Sequence, residues 1–506
     1  MKYVFLYLLL TVGTAFGQLK EAKIPVEGTL IFTGQTSVLP IPNENNGGFS
    51  FLKVDRTELQ ASRVDQNGTT TASMILDIPK DLGNFLDAIH VNNVLRIFFT
   101  KKDAVGYMDL DFEAKNTNEV IINDVFEDRE RLIGYYGVKN KFYTVTIREN
   151  SSIVVNVFSE AKGYETIEFV SENDSFTENY LAQKLFSKKS LVNIIKSEEE
   201  ASFTLNYNPK KLYVSENKII ITIDYFRDKE GADHITDIIE LDIENTSVAA
   251  YTIEFPKITK MRSVKKEIQS RSYLKDGWLF QFVHTKDQLI VQIVDYDTGE
   301  VKNRYSLDEF TNGPFSEPET VYHPEYGTKD PDLIKKNKRF LRNLYQGKSA
   351  INVYKQNGSY FIHIGAFAVP AEGHRMYSQV TNTPGMITYS VAPFMPAATI
   401  TIFLTAIIVD GVTANPPNYG TTNSIYLNEK ELQVASATLA VNATTFEIET
   451  NAKIRSVYER SRDHEKKLIK EERKRLVKPS LFKIRGEYFF SYFSIRDRSF
   501  IISTLP

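Results

Sequence analysis

The feature that most restricts the fold of this chain is a turn-and-strand unit that recurs along its 506 residues. The clearest copy opens on the turn pair Asp276-Gly277 and continues as an apolar, aromatic run from Trp278 to Val283. After the polar break Thr285–Asp287, a second apolar run extends from Leu289 to Val294. Two β-branched and aromatic runs around a short polar turn predict an antiparallel hairpin.

The start of this hairpin, a polar turn residue followed by an apolar strand, recurs seven times. The seven anchor residues are Asn46, Asn93, Asn140, Asn217, Asp276, Asn357 and Arg485. The first two intervals are both 47 residues, which is the length of one four-stranded propeller blade. The longer intervals that follow are interpreted as the same unit with insertions.

A second pattern recurs in the same phase of the repeat. Met108–Glu113, Ile239–Glu244 and Ile293–Asp297 each alternate apolar residues with carboxylates near the end of the second hairpin strand. Alternation is typical of a half-buried strand, and an acidic residue at its end favours a turn. Because both patterns, the turn before the hairpin and the carboxylates at its end, occur at the same positions of the unit, they indicate a true repeat.

Hairpins that end in a D-[apolar]-D-T-G-like turn at blade spacing resemble the degenerate repeats of β-propeller proteins, over about residues 27–506. The resemblance implies a mostly β chain, a β-propeller of about seven blades (six to eight) with helical insertions, and it carries over no functional residue. We expect the strand Gly28–Thr33 to complete the last blade, Glu487–Ile502, so that no sheet edge stays open. Two or more β-sandwich domains are the alternative, although no Pro/Gly/Ser linker separates halves.

Three insertions are predicted, at about residues 171–200, 313–347 and 370–478. Apolar residues between Thr177 and Ile195 have helical spacing. A second helix is predicted from Asp330, as its N-cap, through Pro331, to an end at Gly347.

The third insertion contains an apolar run, 386–409, that is interrupted by Pro393 and Pro396. Two buried strands are the preferred interpretation, as a protruding hairpin or a degenerate eighth blade; a hairpin that contacts a membrane or a partner is the alternative. Ala452–Lys478 is predicted to be a charged helix, ended by Pro479. It either lies against the propeller as a solvated helix or docks an acidic partner or anionic headgroups.

Residues 1–17 are predicted to be a signal peptide, because Lys2 precedes a ten-residue apolar run and Ala15-Phe16-Gly17 places small residues at the cleavage site. A single domain, 18–506, is expected in the exported chain. The sequence has no cysteine, which excludes disulfides and lipid attachment through a thiol and favours a bacterial periplasm, outer surface or secreted location. The net charge of −3 argues against nucleic-acid binding, and no transmembrane span is predicted.

Catalytic signatures are mostly absent: the sequence contains no thiol nucleophile, G-x-S-x-G elbow, H-E-x-x-H pair or Walker loop. The seven histidines are scattered singly: His90, His234, His284, His323, His363, His374 and His464. Asp295-x-Asp297 resembles the start of a calcium loop, but Gly299 occupies the third ligand position, so a turn role is preferred. We therefore assign no catalytic residue, metal ligand or cofactor.

Several aromatic residues are further candidates for a binding site. They either line a sugar- or peptide-binding face or pack between blades. The candidates are Tyr135, Tyr136, Trp278, Tyr322, Tyr326 and Tyr345. The sequence favours a non-enzymatic, exported binding scaffold that meets a protein or glycan partner at its blade-end loops and insertions. The alternative is a carbohydrate- or peptide-processing enzyme with acidic residues from several blades.

Overall fold

The computed structural model describes residues 21–26, 37–43, 47–54, 58–128, 130–148, 152–160, 163–170, 192–196, 200, 205–227, 233–258, 268–308, 315–316, 319–321, 332–334, 336–367, 434–449, 455–470, 476–484, 486–494 and 496–505. Within these residues, the strands form seven sheets, which are numbered here from sheet 1 to sheet 7 along the chain. The predicted fold class, a mostly β propeller built from repeated antiparallel sheets, is confirmed.

Sheets 1 to 3 each consist of four antiparallel strands in sequence order. Sheet 1 contains β2 (Ser37–Pro42), β3 (Phe49–Val54), β4 (Glu58–Val64) and β5 (Thr70–Asp77). Sheet 2 contains β6 (Asn84–Val91), β7 (Val94–Lys101), β8 (Ala104–Asp111) and β9 (Asn116–Ile122). Sheet 3 contains β10 (Arg131–Val138), β11 (Lys141–Ile147), β12 (Ile153–Phe158) and β13 (Tyr164–Phe169).

Sheet 4 has an extra short strand, β14, which pairs in parallel with β15 at the inner side of the sheet. Its strands are β14 (Asn193–Lys196), β15 (Lys210–Val214), β16 (Lys218–Arg227), β17 (Asp233–Asp242) and β18 (Ser247–Glu254). Sheet 5 contains β19 (Gln269–Lys275), β20 (Trp278–His284), β21 (Gln288–Asp295) and β22 (Val301–Asp308). It includes the hairpin from which the repeat was recognised.

Sheet 6 draws its outer strands from chain that precedes its inner ones. Its order is β24-β23-β27-β26-β25. The strands are β23 (Glu319–Val321), β24 (Asp332–Leu333), β25 (Lys348–Gln356), β26 (Ser359–Phe367) and β27 (Val434–Asn442). Parts of the predicted insertions 313–347 and 370–478 are therefore strands of this sheet, and the apolar run 386–409 lies outside the described residues.

Sheet 7 joins the two ends of the described chain. It contains β28 (Leu476–Ile484), β29 (Glu487–Ser494) and β30 (Ser499–Thr504), and β1 (Glu21–Pro25) pairs antiparallel with β30. Ala22 and Ile24 of β1 are buried. The predicted closing strand, Gly28–Thr33, lies outside the described residues; the strand that is seen to close this sheet comes earlier in the chain.

In the sequence, every predicted anchor lies between two consecutive strands that pair as an antiparallel hairpin within one sheet. This shared position explains why one pattern marks all seven copies. The turns Asp276-Gly277 and Asn357-Gly358 have positive φ at both residues. Two-residue hairpins need this conformation, which glycine, asparagine and aspartate adopt most readily. The local turn chemistry therefore marks the hairpins β19–β20 and β25–β26.

Neighbouring sheets contact each other in chain order through β2 and β6, β6 and β10, β10 and β14, β16 and β19, and β19 and β25, and sheet 7 contacts sheet 1 through β28 and β2. Hydrophobic clusters fill the spaces between sheets 1 and 2, 2 and 3, 3 and 4, and 7 and 1, and one larger cluster joins sheets 4, 5 and 6. Each sheet is thus apolar on both faces, as stacking around an axis requires.

Helix α1 (Asn337–Gln346) packs Phe340, Leu341 and Leu344 into the cluster of sheets 4 to 6. Its end at Gly347 was predicted, and Gly347 N–H donates to Asn343 O. The predicted start at Pro331 is wrong, since Lys336 is the N-cap and Asp332–Leu333 pairs with β23. Residues that were predicted to form the first turn of the helix, Asp332 and Leu333, form strand β24 instead.

Helix α2 (Val457–Lys470) covers the face of sheet 7 opposite to sheet 1, where Val457 and Leu468 pack on Leu481 and Phe490. The predicted helix Ala452–Lys478 is too long at its C-terminal end, because Leu476–Ile484 is strand β28. Pro479 lies within that strand, where the register shifts between Val477 and Ser480. A bulge removes the ladder hydrogen bond that proline cannot make.

Candidate functional site

A groove of about 540 Å³ lies between sheets 4 and 5. It lies between their outermost strands, β18 and β22. The lining residues are Thr252, Ile253, Glu254, Phe255, Pro256, Lys257, Ile290, Gly299, Val301 and Arg304. We refer to this feature as the sheet 4–5 groove.

A chain of amide hydrogen bonds fixes the two walls of the groove relative to each other. Gln292 Nε2 donates to the backbone oxygen of Glu254 (2.8 Å) and to Gln281 Oε1 (2.7 Å). Arg304 Nε in turn donates to Gln292 Oε1 (3.1 Å). Because Gln281 and Gln292 are buried, their hydrogen bonds are protected from water and hold β18 against sheet 5.

The floor of the groove is apolar. Phe255 and Ile290 are buried and form a small cluster with Val283. Val301, on the β22 side, is 38% exposed and is one of few large apolar residues in the described chain with such exposure. Exposed apolar area beside a ready-made apolar floor favours a ligand that removes it from water.

The rim of the groove carries charge of both signs. Arg304, Lys257 and Glu254 are exposed. The hydrogen bond to Gln292 uses Nε of Arg304, and the described residues supply no partner for its terminal NH₂ groups. A guanidinium held in this way can donate to a carboxylate or phosphate with both terminal groups.

A second polar region lies between sheets 4, 5 and 6, close to the inner strands. Asn193 Nδ2 donates to Asn206 Oδ1 (3.1 Å), and Asn206 Nδ2 donates to Asn352 Oδ1 (3.4 Å). Asn206 lies in a one-turn 3₁₀ helix, Leu205–Tyr207, and Arg271 Nε donates to the backbone oxygen of Tyr207 (2.7 Å). These bonds connect the 3₁₀ helix, which lies between β14 and β15, to the inner strands of sheets 5 and 6.

Asp224 is the centre of the charged part of this region. Its carboxylate accepts hydrogen bonds from Thr236 Oγ1 (2.8 Å), Ser272 Oγ (2.6 Å) and Ser272 N–H (2.8 Å). Lys211 Nζ lies 3.5 Å from Asp224 Oδ2, and both side chains are 0% exposed. Burial lowers the pKa of Lys211 to about 8, although the charge of Asp224 opposes the shift. Since no solvent reaches either side chain, the pair is structural.

A third polar feature joins sheet 4 to helix α2. Glu200 Oε2 accepts a hydrogen bond from Val457 N–H (3.0 Å), and Glu200 N–H donates to Tyr488 Oη (3.0 Å). The helix also has a capping box, because Ser456 N–H donates to Glu459 Oε2 and Glu459 N–H donates to Ser456 Oγ. Burial raises the pKa of Glu200, and the hydrogen bond from Val457 opposes the shift.

The described histidines form no cluster that could hold a metal ion, although the charge of His234 contributes to the lowered pKa of His284. His234 contacts Ser270, His363 contacts Thr438, and His464 contacts Ser503. His90 and His284 are buried, which lowers their pKa to about 4 and about 3, respectively. His323 and His374 lie outside the described residues.

The recurrent carboxylates cap turns, as predicted. Asp295 Oδ1 accepts hydrogen bonds from the backbone N–H groups of Asp297 (3.2 Å) and Thr298 (3.1 Å). Asp242 and Asp111 accept equivalent bonds two or three residues ahead. Among the described residues, no group of three or more His, Asp or Glu is close enough together to hold a metal ion.

The candidate aromatic residues do not form one face. Tyr135 and Tyr136 are buried on β10 in different clusters, and Trp278 packs edge-on against Phe446 at a centroid distance of 4.7 Å. Tyr345 lies in α1. Tyr322 and Tyr326 lie outside the described residues, as does the predicted signal peptide. No helix in the described part of the chain has both the length and the apolar character of a membrane span.

The groove was missed at the sequence level because its lining residues come from two different repeats. One signal was present: Gln281 and Gln292 interrupt the apolar runs LFQFV and IVQIV. A polar amide at a position where a strand is otherwise apolar indicates a buried hydrogen-bonded pair. The pairing Gln281↔Gln292 across β20 and β21 is the observed result.

The sequence matches no protein-family model, and it matches no curated protein at a significant level. Among solved structures, similar folds include the Nup133 β-propeller domain of Vanderwaltozyma polyspora (10% identity, 59% of this chain and 83% of that chain, TM-score 0.28). The Dos1 propeller (10%, 67% and 71%, TM-score 0.28) is another. A Synechocystis apocarotenoid oxygenase mutant (8%, TM-score 0.27) matches over 53% of this chain, which spans only 60% of the oxygenase. At these values, the likeness identifies no shared site.

Proposed function

We propose that this protein is an exported, non-enzymatic binding protein of the cell envelope or the secreted fraction, and that it holds a partner in the sheet 4–5 groove. The single observation that carries the proposal is the combination of an apolar floor, exposed Val301 and the charged rim residues Arg304 and Lys257. Export rests on the sequence, which predicts a mature chain that begins at Gln18.

The groove has the properties of a recognition site on a rigid scaffold. Its volume falls within the range of about 300–1,000 Å³ that is usual for ligand sites. The buried amides of Gln292 and Gln281 in sheet 5 hold the backbone of Glu254, which belongs to the opposite wall. A binding surface that is preformed in this way loses little conformational entropy when a partner is bound.

The enzymatic alternative requires carboxylates that are free to act on a substrate. Asp224 is fully buried and engaged with Ser272 and Thr236, and Glu200 caps helix α2. Both are used to hold elements together. Neither of these two carboxylates therefore supports the enzymatic alternative.

The experiment starts with the immobilised mature chain, Gln18–Pro506, and an envelope extract of its host. Captured proteins are identified by mass spectrometry, purified, and titrated by calorimetry against wild type and Val301→Glu. The variant Ile75→Glu is the matched control, because Ile75 is 40% exposed on β5, away from the groove. We expect at least a tenfold loss of affinity for Val301→Glu alone, as a buried unpaired charge costs more than about 1.4 kcal/mol.

Equal binding by Val301→Glu and wild type would reject the groove as the site. Export is tested separately, by N-terminal sequencing of the protein from the host. A first residue of Gln18 supports it, and an intact Met1 in the mature protein contradicts it.

A further inference from the structure

We infer that the ligand of the sheet 4–5 groove is an extended peptide segment in which carboxylate and apolar side chains alternate. This inference rests on the proposed function and gives the chemical class of the partner. Three independent properties of the groove carry it: its shape, the charge of its rim and the position of its apolar surface.

The shape favours an extended chain. One wall is a continuous run of six residues, Thr252–Lys257, of which the first three belong to β18. The other wall includes Val301 and Arg304 of β22 and Gly299 in the turn before that strand. At about 3.3 Å per residue, the part of the first wall that belongs to β18, Thr252–Glu254, is about 10 Å long. β18 is the edge strand of sheet 4, and an edge strand can pair its backbone with an added extended segment.

The charges at the rim of the groove favour a ligand with negatively charged side chains. Arg304 and Lys257 are exposed cations, whereas Glu254 is the one anionic side chain among the lining residues. Arg304 is oriented by Gln292 through Nε, which presents a planar donor of fixed direction. A carboxylate accepts from such a guanidinium at two oxygens, and a lysine-bearing peptide would be repelled.

The apolar surface sets the spacing of the ligand's side chains. Val301 is exposed beside buried Ile290 and Phe255, three residues before Arg304 on the same strand. Successive side chains of an extended peptide alternate between opposite faces. An alternating acidic and apolar segment therefore places one set of side chains on Val301 and the floor, and leaves the carboxylates for the rim.

The test uses three fluorescein-labelled heptapeptides, in which valine alternates with glutamate, serine or lysine. Their dissociation constants for the mature chain are measured by fluorescence anisotropy at low and moderate salt. We expect the glutamate peptide to bind at least tenfold more tightly than the lysine peptide, with a difference that shrinks as salt screens the charges. Arg304→Glu should weaken the glutamate peptide at least tenfold.

The matched control is Lys302→Glu, because Lys302 lies on the same strand, makes the same charge change and does not line the groove. It should alter the affinity by less than about twofold, which is the size expected of an exposed charge that makes no contact with the ligand. Both variants are checked for an unchanged melting temperature, so that a loss of binding cannot be a loss of folding.

Equal binding of the glutamate and lysine peptides, or equal effects of the two variants, would overturn the acidic-peptide inference. If Val301→Glu still abolished capture of the purified partner in that case, the proposed binding function would stand with another ligand class. If no heptapeptide bound and Val301→Glu left capture unchanged, both the inference and the groove as binding site would be rejected.

Discussion

Glu200 accepts a hydrogen bond from the backbone N–H of Val457, a residue that is 257 positions further along the chain, at 3.0 Å. Val457 is the first residue of helix α2, where backbone N–H groups have no partner within the helix. The N–H of Glu200 donates in turn to Tyr488 Oη on β29. Glu200, which lies between β14 and β15, thus contacts both helix α2 and sheet 7, which the helix covers.

We predict that Glu200→Ala destabilises the protein by about 1–2 kcal/mol, because it removes a charged acceptor at a helix N-terminus. Glu200→Gln should be at least as stable as wild type at pH 7. The amide oxygen keeps an acceptor for Val457, and it removes a charge that burial disfavours. Urea denaturation measures both, and the exposed Glu119→Ala on β9 is the control, expected within about 0.5 kcal/mol of wild type.

The pH dependence of this effect has a definite sign. The pKa of Glu200 is raised in the folded state above its ordinary value of 4.5, so the folded protein binds the proton more tightly than the unfolded chain. Its contribution to stability is complete below pH 4.5 and is lost as pH rises through the folded pKa. The stability of wild type relative to Glu200→Gln should therefore fall on going from acid to neutral pH; a rise over this interval would contradict the assignment.

Ile24 tests the closure of sheet 7. It is 1% exposed, pairs with Phe500 across β1 and β30, and belongs to the cluster between sheets 7 and 1. We predict that Ile24→Ala costs about 2–4 kcal/mol, since it leaves a cavity at the strand that completes the sheet. Lys23→Gln, at an exposed position of β1, should change the free energy of unfolding by less than about 0.5 kcal/mol. Equal effects would show that β1 adds little to the ring.

The repeat was predictable because its determinants are local. Asp276 and Gly277 readily adopt the positive φ that a two-residue hairpin turn needs, and the apolar runs on each side favour strands. Sheet 6 was not predictable in this way. Its outer strand β23 pairs with β27, and more than 100 residues separate Thr320 from its partner Ala435. Nothing in the turn chemistry of either segment encodes that pairing.

The helices and the groove show the same limit. Ser456 and Glu459 are a local capping signal, but Pro479 lies in a strand bulge whose position depends on β29. The two walls of the groove come from different repeats, and no spacing within one repeat brings Lys257 near Arg304. The propeller could thus be predicted from the sequence. For the groove, the sequence offered one signal, the polar residues Gln281 and Gln292 within apolar strands.

Arg96 supports a prediction about the junction of sheets 2 and 3. Its Nε and Nη2 donate to the two oxygens of Asp109 (2.7 and 2.9 Å), and its Nη1 donates to the backbone oxygen of Ser159 (2.8 Å). The guanidinium also lies 4.1 Å from the ring centroid of Tyr107. We predict that Arg96→Lys costs about 2 kcal/mol, because an ammonium cannot make the planar fork and reach Ser159 as well.

The matched control for this variant is Arg63→Lys, whose contact with Glu113 (3.3 Å) is exposed and uses one nitrogen. It should cost less than about 0.5 kcal/mol. Both are measured by thermal and urea unfolding. A similar small loss for the two would mean that the buried fork at Arg96 adds nothing beyond charge.

The buried pair Lys211 and Asp224 gives the strongest expected effect of a single change. Lys211→Met should destabilise the protein by about 3 kcal/mol at pH 7, because it leaves the carboxylate of Asp224 buried without its cation. Asp224→Asn alone should also be destabilising. The double variant should lose less than the sum of the two single losses, which measures the coupling of the pair.

The pH profile separates this charged pair from simple packing. Burial lowers the pKa of Lys211 from 10.5 to about 8 in the folded state, so the unfolded chain binds the proton more tightly. Stability that depends on Lys211 should therefore rise as pH increases from 8 to 10.5. The difference between wild type and Lys211→Met removes the titration of all other groups, and it should grow in favour of wild type over this interval. A difference that stays constant with pH would assign Lys211 a purely apolar packing role.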